Sequence, residues 1–194
     1  VKTKPLPKKD LTKEDENPLL KDKEYILKPS EARELLIFMG LMTKDGKLKN
    51  DKIRKFNQIN RFLELTREVF EGIDKQRITV LDCGCGKSYL TFAVNYYLTE
   101  VLHKKCHTIG VDISEGVIKH SSKIAKNLGY ENMSFICADL RQYEPPQEID
   151  VVISLHACDM ATDLALAAAI RYCAKVIMDR KSDVYGKSGE VGGR

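Results

Sequence analysis

Apolar residues recur in two different rhythms along this chain, and the change of rhythm divides it. From Ser30 to Gly40 and from Asn50 to Glu71 they return every three to four positions, which predicts two helices. The first takes Ser30 as its N-cap, places Glu31 in its first turn and stops at Gly40; the second lines one face with Ile53, Phe56, Ile59, Phe62/Leu63, Thr66 and Val69/Phe70. Between them Thr43 to Lys49, centred on Asp45-Gly46, reads as a turn. From Ile78 onward short β-branched runs take turns with helical stretches. Strands are expected at Ile78–Leu81, His107–Val111, Met133–Cys137, Asp150–Leu155 and Lys175–Met178. The helix after the first strand should bury Leu90, Val94, Tyr97 and Val101. The next, capped by Ser114 and running to Gly129, should bury Val117, Ser121, Ile124 and Leu128, and an alanine-rich helix from Ala161 to Tyr172 precedes the last strand. Such alternation argues for a parallel sheet covered on both faces.

The first strand runs directly into Asp82-Cys83-Gly84-Cys85-Gly86-Lys87-Ser88 and then into a helix. Glycines in such a turn let a ligand approach the backbone, and the helix that follows aims unpaired N–H groups at the same place. Dinucleotide-binding, P-loop and S-adenosylmethionine-binding proteins all use a strand, a glycine turn and a helix, so spacing must discriminate. A P-loop requires a glycine where this chain has Leu81, and a dinucleotide fingerprint requires a third glycine or alanine where it has Tyr89. What remains is D-x-G-x-G, with Asp82 in the turn itself.

These residues resemble the class I S-adenosylmethionine-dependent methyltransferases. Asp82 to Phe92 together with Leu155-His156-Ala157-Cys158-Asp159 is similar to the methyltransferase-like 25 type of domain, and Lys55 to Phe62 is similar to the helix preceding it in bacterial members. The resemblance covers roughly Tyr25 to Met178. It implies an α/β, Rossmann-like doubly wound and mainly parallel sheet with an α-helical amino-terminal segment, binding S-adenosyl-L-methionine. The sixth and seventh strands of a complete domain have no sequence here. After Met178 the chain reads Asp179-Arg180-Lys181-Ser182 and ends in Gly192-Gly193-Arg194, so residues 179–194 are expected to be a disordered tail. The chain begins with Val1; it reads as an amino-terminal fragment with an unrelated tail or as an unusually short domain.

Ligands of such sheets bind beyond the carboxyl ends of the strands. There the resemblance and the spacing place the cofactor residues Asp82, Cys83, Gly84, Gly86, Asp112, Ile113, Asp139, Leu140 and Ser154. Asp112 closes the second strand, where a carboxylate accepts from ribose hydroxyls; it also suits a plain helix-start acid. Asp139 is expected at the adenine amino group with Leu140 against the ring, and Asp82 near the methionine end. His156 is the candidate general base, with Asp159 as the other catalytic candidate; each also suits a structural role, as a strand-end hydrogen-bonding residue and as a helix cap. The stretch after the fourth strand is neither N-P-P-Y nor D-P-P-Y, which disfavours planar-nitrogen acceptors. Cys83, Cys85, His103, Cys106 and His107 match no common zinc module, so no metal is expected.

Composition adds direction. The 194 residues are 43% apolar, enough for one core, and carry a net charge of +4. Lys2, Lys4, Lys8, Lys9 and Lys13 crowd a start without apolar period, so residues 1–24 read as a flexible basic arm, 25–73 as a helical segment and 74–178 as the cofactor-binding domain. A macromolecular methyl acceptor, ribosomal RNA or a basic protein, fits that arm. Lys55, Asn57, Gln58, Asn60 and Arg61 would make the second helix a shoulder of the active site. No apolar run reaches membrane-spanning length, and six cysteines in an α/β pattern suit the cytoplasm. The alternatives are a non-catalytic cofactor- or RNA-binding module and a P-loop or NAD enzyme.

Overall fold

The computed structural model describes residues 24–154, 176–179 and 184–186. Its helices are α1 (Arg33–Phe38), α2 (Ile53–Gly72), α3 (Tyr89–Tyr96) and α4 (Glu115–Leu128). Its strands are β1 (Arg77–Cys83), β2 (Lys105–Asp112), β3 (Met133–Cys137), β4 (Val151–Ser154), β5 (Val176–Asp179) and β6 (Val184–Gly186). They form one sheet in the order β3-β2-β1-β4-β5-β6, parallel throughout except for β6. The chain works outward from β1 to β3 and then returns to place β4 on β1's other side. This makes the carboxyl ends of β1 and β4 the switch point where such sheets bind ligands.

The period of two along the strands sorts side chains between two cores. Ile78, Val80, Cys106, Val151 and Ile153 face a large cluster built with Phe56, Ile59, Leu63 and Phe70 of α2, Phe92 and Val94 of α3 and Ile124 of α4. Leu81, Cys83, Ile109, Val111 and Val152 face a smaller one closed by Tyr143 and Ile149. The expected α2 stripe is the buried one, and α2 is preceded by a 3-10 turn at Asn50–Lys52. Because α3 lies between α2 and the sheet, it is buried on all sides from Leu90 to Tyr96. It then widens into a π-helical turn at Tyr97–Val101, and that change of period turns Val101, expected to point inward, out to solvent.

Several local expectations are corrected. Ser30 does not cap α1, which starts at Arg33 after a turn held by Glu31 and Ala32 N–H groups on the Lys28 carbonyl. Ser114 stands at the N-cap of α4 but makes no side-chain capping bond. Two of the three amides of α2, Asn57 and Asn60, turn inward, while Gln58 stays exposed. Asn60, buried, accepts from the Leu27 N–H at 2.8 Å, and Asn57 accepts from the Tyr25 hydroxyl at 3.1 Å, so both clip residues 24–28 onto the helix. Arg61 pairs with Glu64 at 3.2 Å. Within the stretch expected to be disordered, Val184–Gly186 pairs antiparallel with β5; the β-favouring Val184 and Tyr185 suit an otherwise open sheet edge. No seventh strand occurs among the described residues, and the alanine-rich helix expected at 161–172 lies outside them.

Asn60→Ala removes the acceptor of a buried N–H and is expected to lower unfolding free energy by about 1–3 kcal/mol. Gln58→Ala, on the exposed face, is expected to stay within about 0.5 kcal/mol of the parent. Urea titration distinguishes the two; equal effects would return the amides of α2 to the solvent-facing role.

Candidate functional site

Asp82, one residue before the end of β1, faces α3 and is 4% exposed. The Thr91 hydroxyl, in the first turn of α3, donates to Asp82 Oδ2 at 2.6 Å. Burial pushes the Asp82 carboxyl up to about 6; the Thr91 bond pulls it back and the neighbouring Asp112 charge adds to the rise. Cys83 points to the opposite face, into the smaller core, and burial raises its thiol to about 12, as it does for Cys85. These are packed, protonated thiols.

The turn that follows closes upon β2. Gly84 and Gly86 take left-handed backbone angles, φ +68° and +52°, which only glycine adopts without penalty. The Gly84 and Cys85 N–H groups both donate to the Val111 carbonyl, at 2.8 and 3.0 Å, and the Gly86 N–H donates to Asp112 Oδ2 at 2.9 Å. Asp112 Oδ1 accepts from the Ser114 N–H at 2.8 Å. From 84 to 86 the turn's own N–H groups are thus all committed inside the protein. Ser88 is also left-handed, φ +56°, and fully buried. Its N–H donates to the Cys85 carbonyl at 2.8 Å and its hydroxyl lies 2.8 Å from that of Ser121. A β-carbon built on Gly84 would meet nothing within 4 Å, so the backbone there is open to a close neighbour.

Around this turn stand the other strand ends. Ile113 is 75% exposed, more than Leu65 or Val101, the other large apolar side chains exposed among the described residues. Asp139, after β3, accepts from the Arg141 backbone N–H at 2.9 Å, from its Nε at 3.0 Å and from its Nη2 at 2.5 Å, and these bonds hold it down to about 2. Leu140 is half-buried against the smaller core. Ser154 closes β4, 2% exposed, and its Oγ has no hydrogen-bond partner among the described residues. His156, Cys158 and Asp159 lie outside the described residues. The structure thus brings Asp82, Gly84, Gly86, Asp112, Ile113, Asp139 and Ser154 to one edge of the sheet. Sequence reasoning missed Thr91, whose bond partly offsets the burial of Asp82, and Arg141, which holds Asp139 low; for Arg141 the adjacent acid-x-base pattern was a usable signal.

Over residues 54–179 the chain matches the family described as Methyltransferase domain, and it belongs to that family. It is 31% identical over 88 residues to the probable (S)-tetrahydroprotoberberine N-methyltransferase 2 of Papaver bracteatum, a match that covers 45% of this chain and 23% of the relative. It is 28% identical over 99 residues to the malonyl-(acyl-carrier protein) O-methyltransferase of Anoxybacillus flavithermus, covering 49% and 35%. The matches therefore span well under half the length of either relative. Among solved structures, coclaurine N-methyltransferase bound to N-methylheliamine and S-adenosylhomocysteine has the same fold. The superposition has a TM-score of 0.51 and 20% identity, over 73% of this chain and 43% of that one. The Rossmann-like fold expected of a class I methyltransferase is thereby borne out.

The buried acid has a measurable consequence. Its folded value of about 6 lies above the ordinary 3.8, so the folded state holds the proton more tightly; its contribution is favourable at low pH and is lost as pH rises through about 6. At neutral pH the ionised Asp82 therefore opposes folding by up to about 3 kcal/mol. Asp82→Asn is expected to raise stability at neutral pH and to flatten the dependence between 3.8 and about 6, as read by urea denaturation across pH. A less stable variant with an unchanged pH profile would contradict this.

Proposed function

We propose that the chain binds S-adenosyl-L-methionine across the carboxyl ends of β1 to β4 and methylates an RNA. The observation that carries the cofactor assignment is the commitment of the Gly84, Cys85 and Gly86 N–H groups to the Val111 carbonyl and the Asp112 carboxylate. P-loop and dinucleotide sites use such N–H groups to cradle phosphate. Here they are taken, and the surroundings are the carboxylates of Asp82 and Asp112, with Asp139 already paired to Arg141. That lining repels phosphate and suits a ligand that carries a sulfonium and an ammonium group.

S-adenosylmethionine, when bound, supplies a methyl group on positive sulfur, already activated for in-line displacement. The protein's part is to hold and align. Asp112 uses two of about four acceptor positions on the backbone and keeps the rest for the ribose hydroxyls. Asp82 and the open backbone at Gly84 take the methionine end, with Cys83 packing beneath. Ile113, Asp139 and Leu140 take the adenine, and the buried Ser154 hydroxyl is a further donor at the switch point. His156, two residues beyond Ser154, is assigned the acceptor's proton, with Asp159 three residues further on. The named substrates of the relatives, an alkaloid and an acyl-carrier conjugate, differ from each other, so the acceptor assignment rests on charge. The lysines at positions 2, 4, 8, 9 and 13 favour a polyanion. No helix among the described residues is long and apolar enough to cross a membrane.

S-adenosylhomocysteine is expected to raise thermal stability, by about 2.7 kcal/mol at one hundred times its dissociation constant, while ATP and NAD leave it unchanged. Asp112→Ala is expected to weaken S-adenosylhomocysteine binding about ten- to a hundredfold in calorimetry. Labelled methyl groups should appear in RNA from an extract of cells lacking the gene. Label in protein alone would reassign the acceptor, and binding without transfer would make the chain a cofactor-binding module.

A further inference from the structure

A cleft of about 290 Å³ opens between the end of α1, the start of α3 and the first turns of α4, lined by Met39, Lys87, Tyr89, Val117, His120 and Ile124. None of these residues is assigned to the cofactor. Met39 and Ile124 are nearly buried and, with Val117, make an apolar floor. Tyr89 supplies a half-exposed ring, and the Lys55 ammonium lies over it, 5.9 Å from the centroid. The rim is cationic. Of the acids near Lys55 and His120 in sequence, Asp51 is paired with Lys52 and Glu115 with Lys119, each at 2.7 Å. Among the described residues, Lys55, Lys87 and His120 pair with no carboxylate.

An apolar floor, an aromatic wall and uncompensated cations together fit a planar ring that carries an anion. An acidic peptide would satisfy the lysines and leave the floor and ring unused. A duplex is too broad for a cleft at the low end of ligand-pocket sizes, roughly 300–1,000 Å³, and its bases are already stacked. We infer that the cleft holds one unpaired nucleotide of the RNA acceptor, with its base on Tyr89 and the apolar floor and its phosphate at Lys55, Lys87 and His120. This rests on the reading of the chain as an RNA methyltransferase and adds where and in what form the RNA binds. The mode is that of single-strand binders, an aromatic platform inside a positive groove.

The test is fluorescence anisotropy with a short labelled single-stranded RNA of mixed sequence, and with the same strand annealed to its complement. Tyr89→Ala is expected to weaken single-strand binding about tenfold or more, and Tyr89→Phe to retain it. The paired Lys55→Ala/Lys87→Ala change should weaken it similarly and make the salt dependence shallower by about two phosphate contacts. Arg77→Ala/Lys105→Ala removes the same charge at the other end of β1 and β2 and should change binding less than about twofold. Equal losses in the two double variants, no loss in Tyr89→Ala, or duplex binding as tight as single-strand binding would each overturn the inference. So would a wild-type protein that binds polyglutamate as well as RNA. S-adenosylhomocysteine calorimetry and thermal melting on the same variants separate this outcome from failure of the cofactor reading or of folding; both are expected to stay at wild-type values.

Discussion

The site depends on how the backbone after β1 is tied to the end of β2. Two N–H groups on the Val111 carbonyl and one on the Asp112 carboxylate fold the turn back over the sheet edge, and the pairing of Asp82 with Gly110 and of Cys83 with Val111 sets the height at which this happens. Gly110 supports that arrangement for a steric reason. A β-carbon there would lie 2.8 Å from the Phe135 ring and 3.1 Å from Cys85 Sγ. The ring of Phe135 packs in turn on Phe92 of α3, with centroids 5.4 Å apart. A bare backbone in β2 thus lets β3, the glycine turn and the helix after it close on one point.

The same tie explains why Asp82 is costly. The turn and α3 remove it from water, and Thr91 is its close hydrogen-bonding compensation. A buried acid with a raised value and no cationic partner is a candidate position for a functional group. Lys75 and Asp150 show the contrast at the opposite end of the sheet. There Asp150 is equally buried, but it receives the lysine ammonium at 2.6 Å and the Thr79 N–H at 2.9 Å. The protein can fully pair an acid between strands, and at Asp82 it does not.

The period of the apolar residues made the strands, α2 and α4 legible, because burial on one face leaves a regular trace. It failed where the backbone changes its own period. Val101 was misjudged because Tyr97–Val101 is wound as a π-helix. The early start of β2, at Lys105, was hidden because a strand's first residues are fixed by pairing with Arg77 and Ile78 rather than by burial. At the site, the residue types and spacing identified the turn and its acids. The direction of the N–H groups did not follow from them, since it depends on the left-handed angles at 84, 86 and 88. Asn57 and Asn60 carry no sign in sequence of whether an amide serves a ligand or its own chain. Here they serve the chain.

Charge is distributed around the turn with a consequence for any reaction there. Asp82, Asp112 and Asp139 gather at the strand ends, while Lys87, one residue past Gly86, begins a basic surface that continues through Lys55 and His120. The low dielectric around Asp82 strengthens its field relative to an exposed acid, so a phosphate is repelled from the strand ends chiefly by Asp82 and Asp112, Asp139 being paired with Arg141. The exposed lysines act through solvent and are weakened by salt within about 10 Å. A cation and a polyanion are therefore sorted on approach, one toward the buried acids and the other toward the rim. Only the second of these attractions is readily screened by salt.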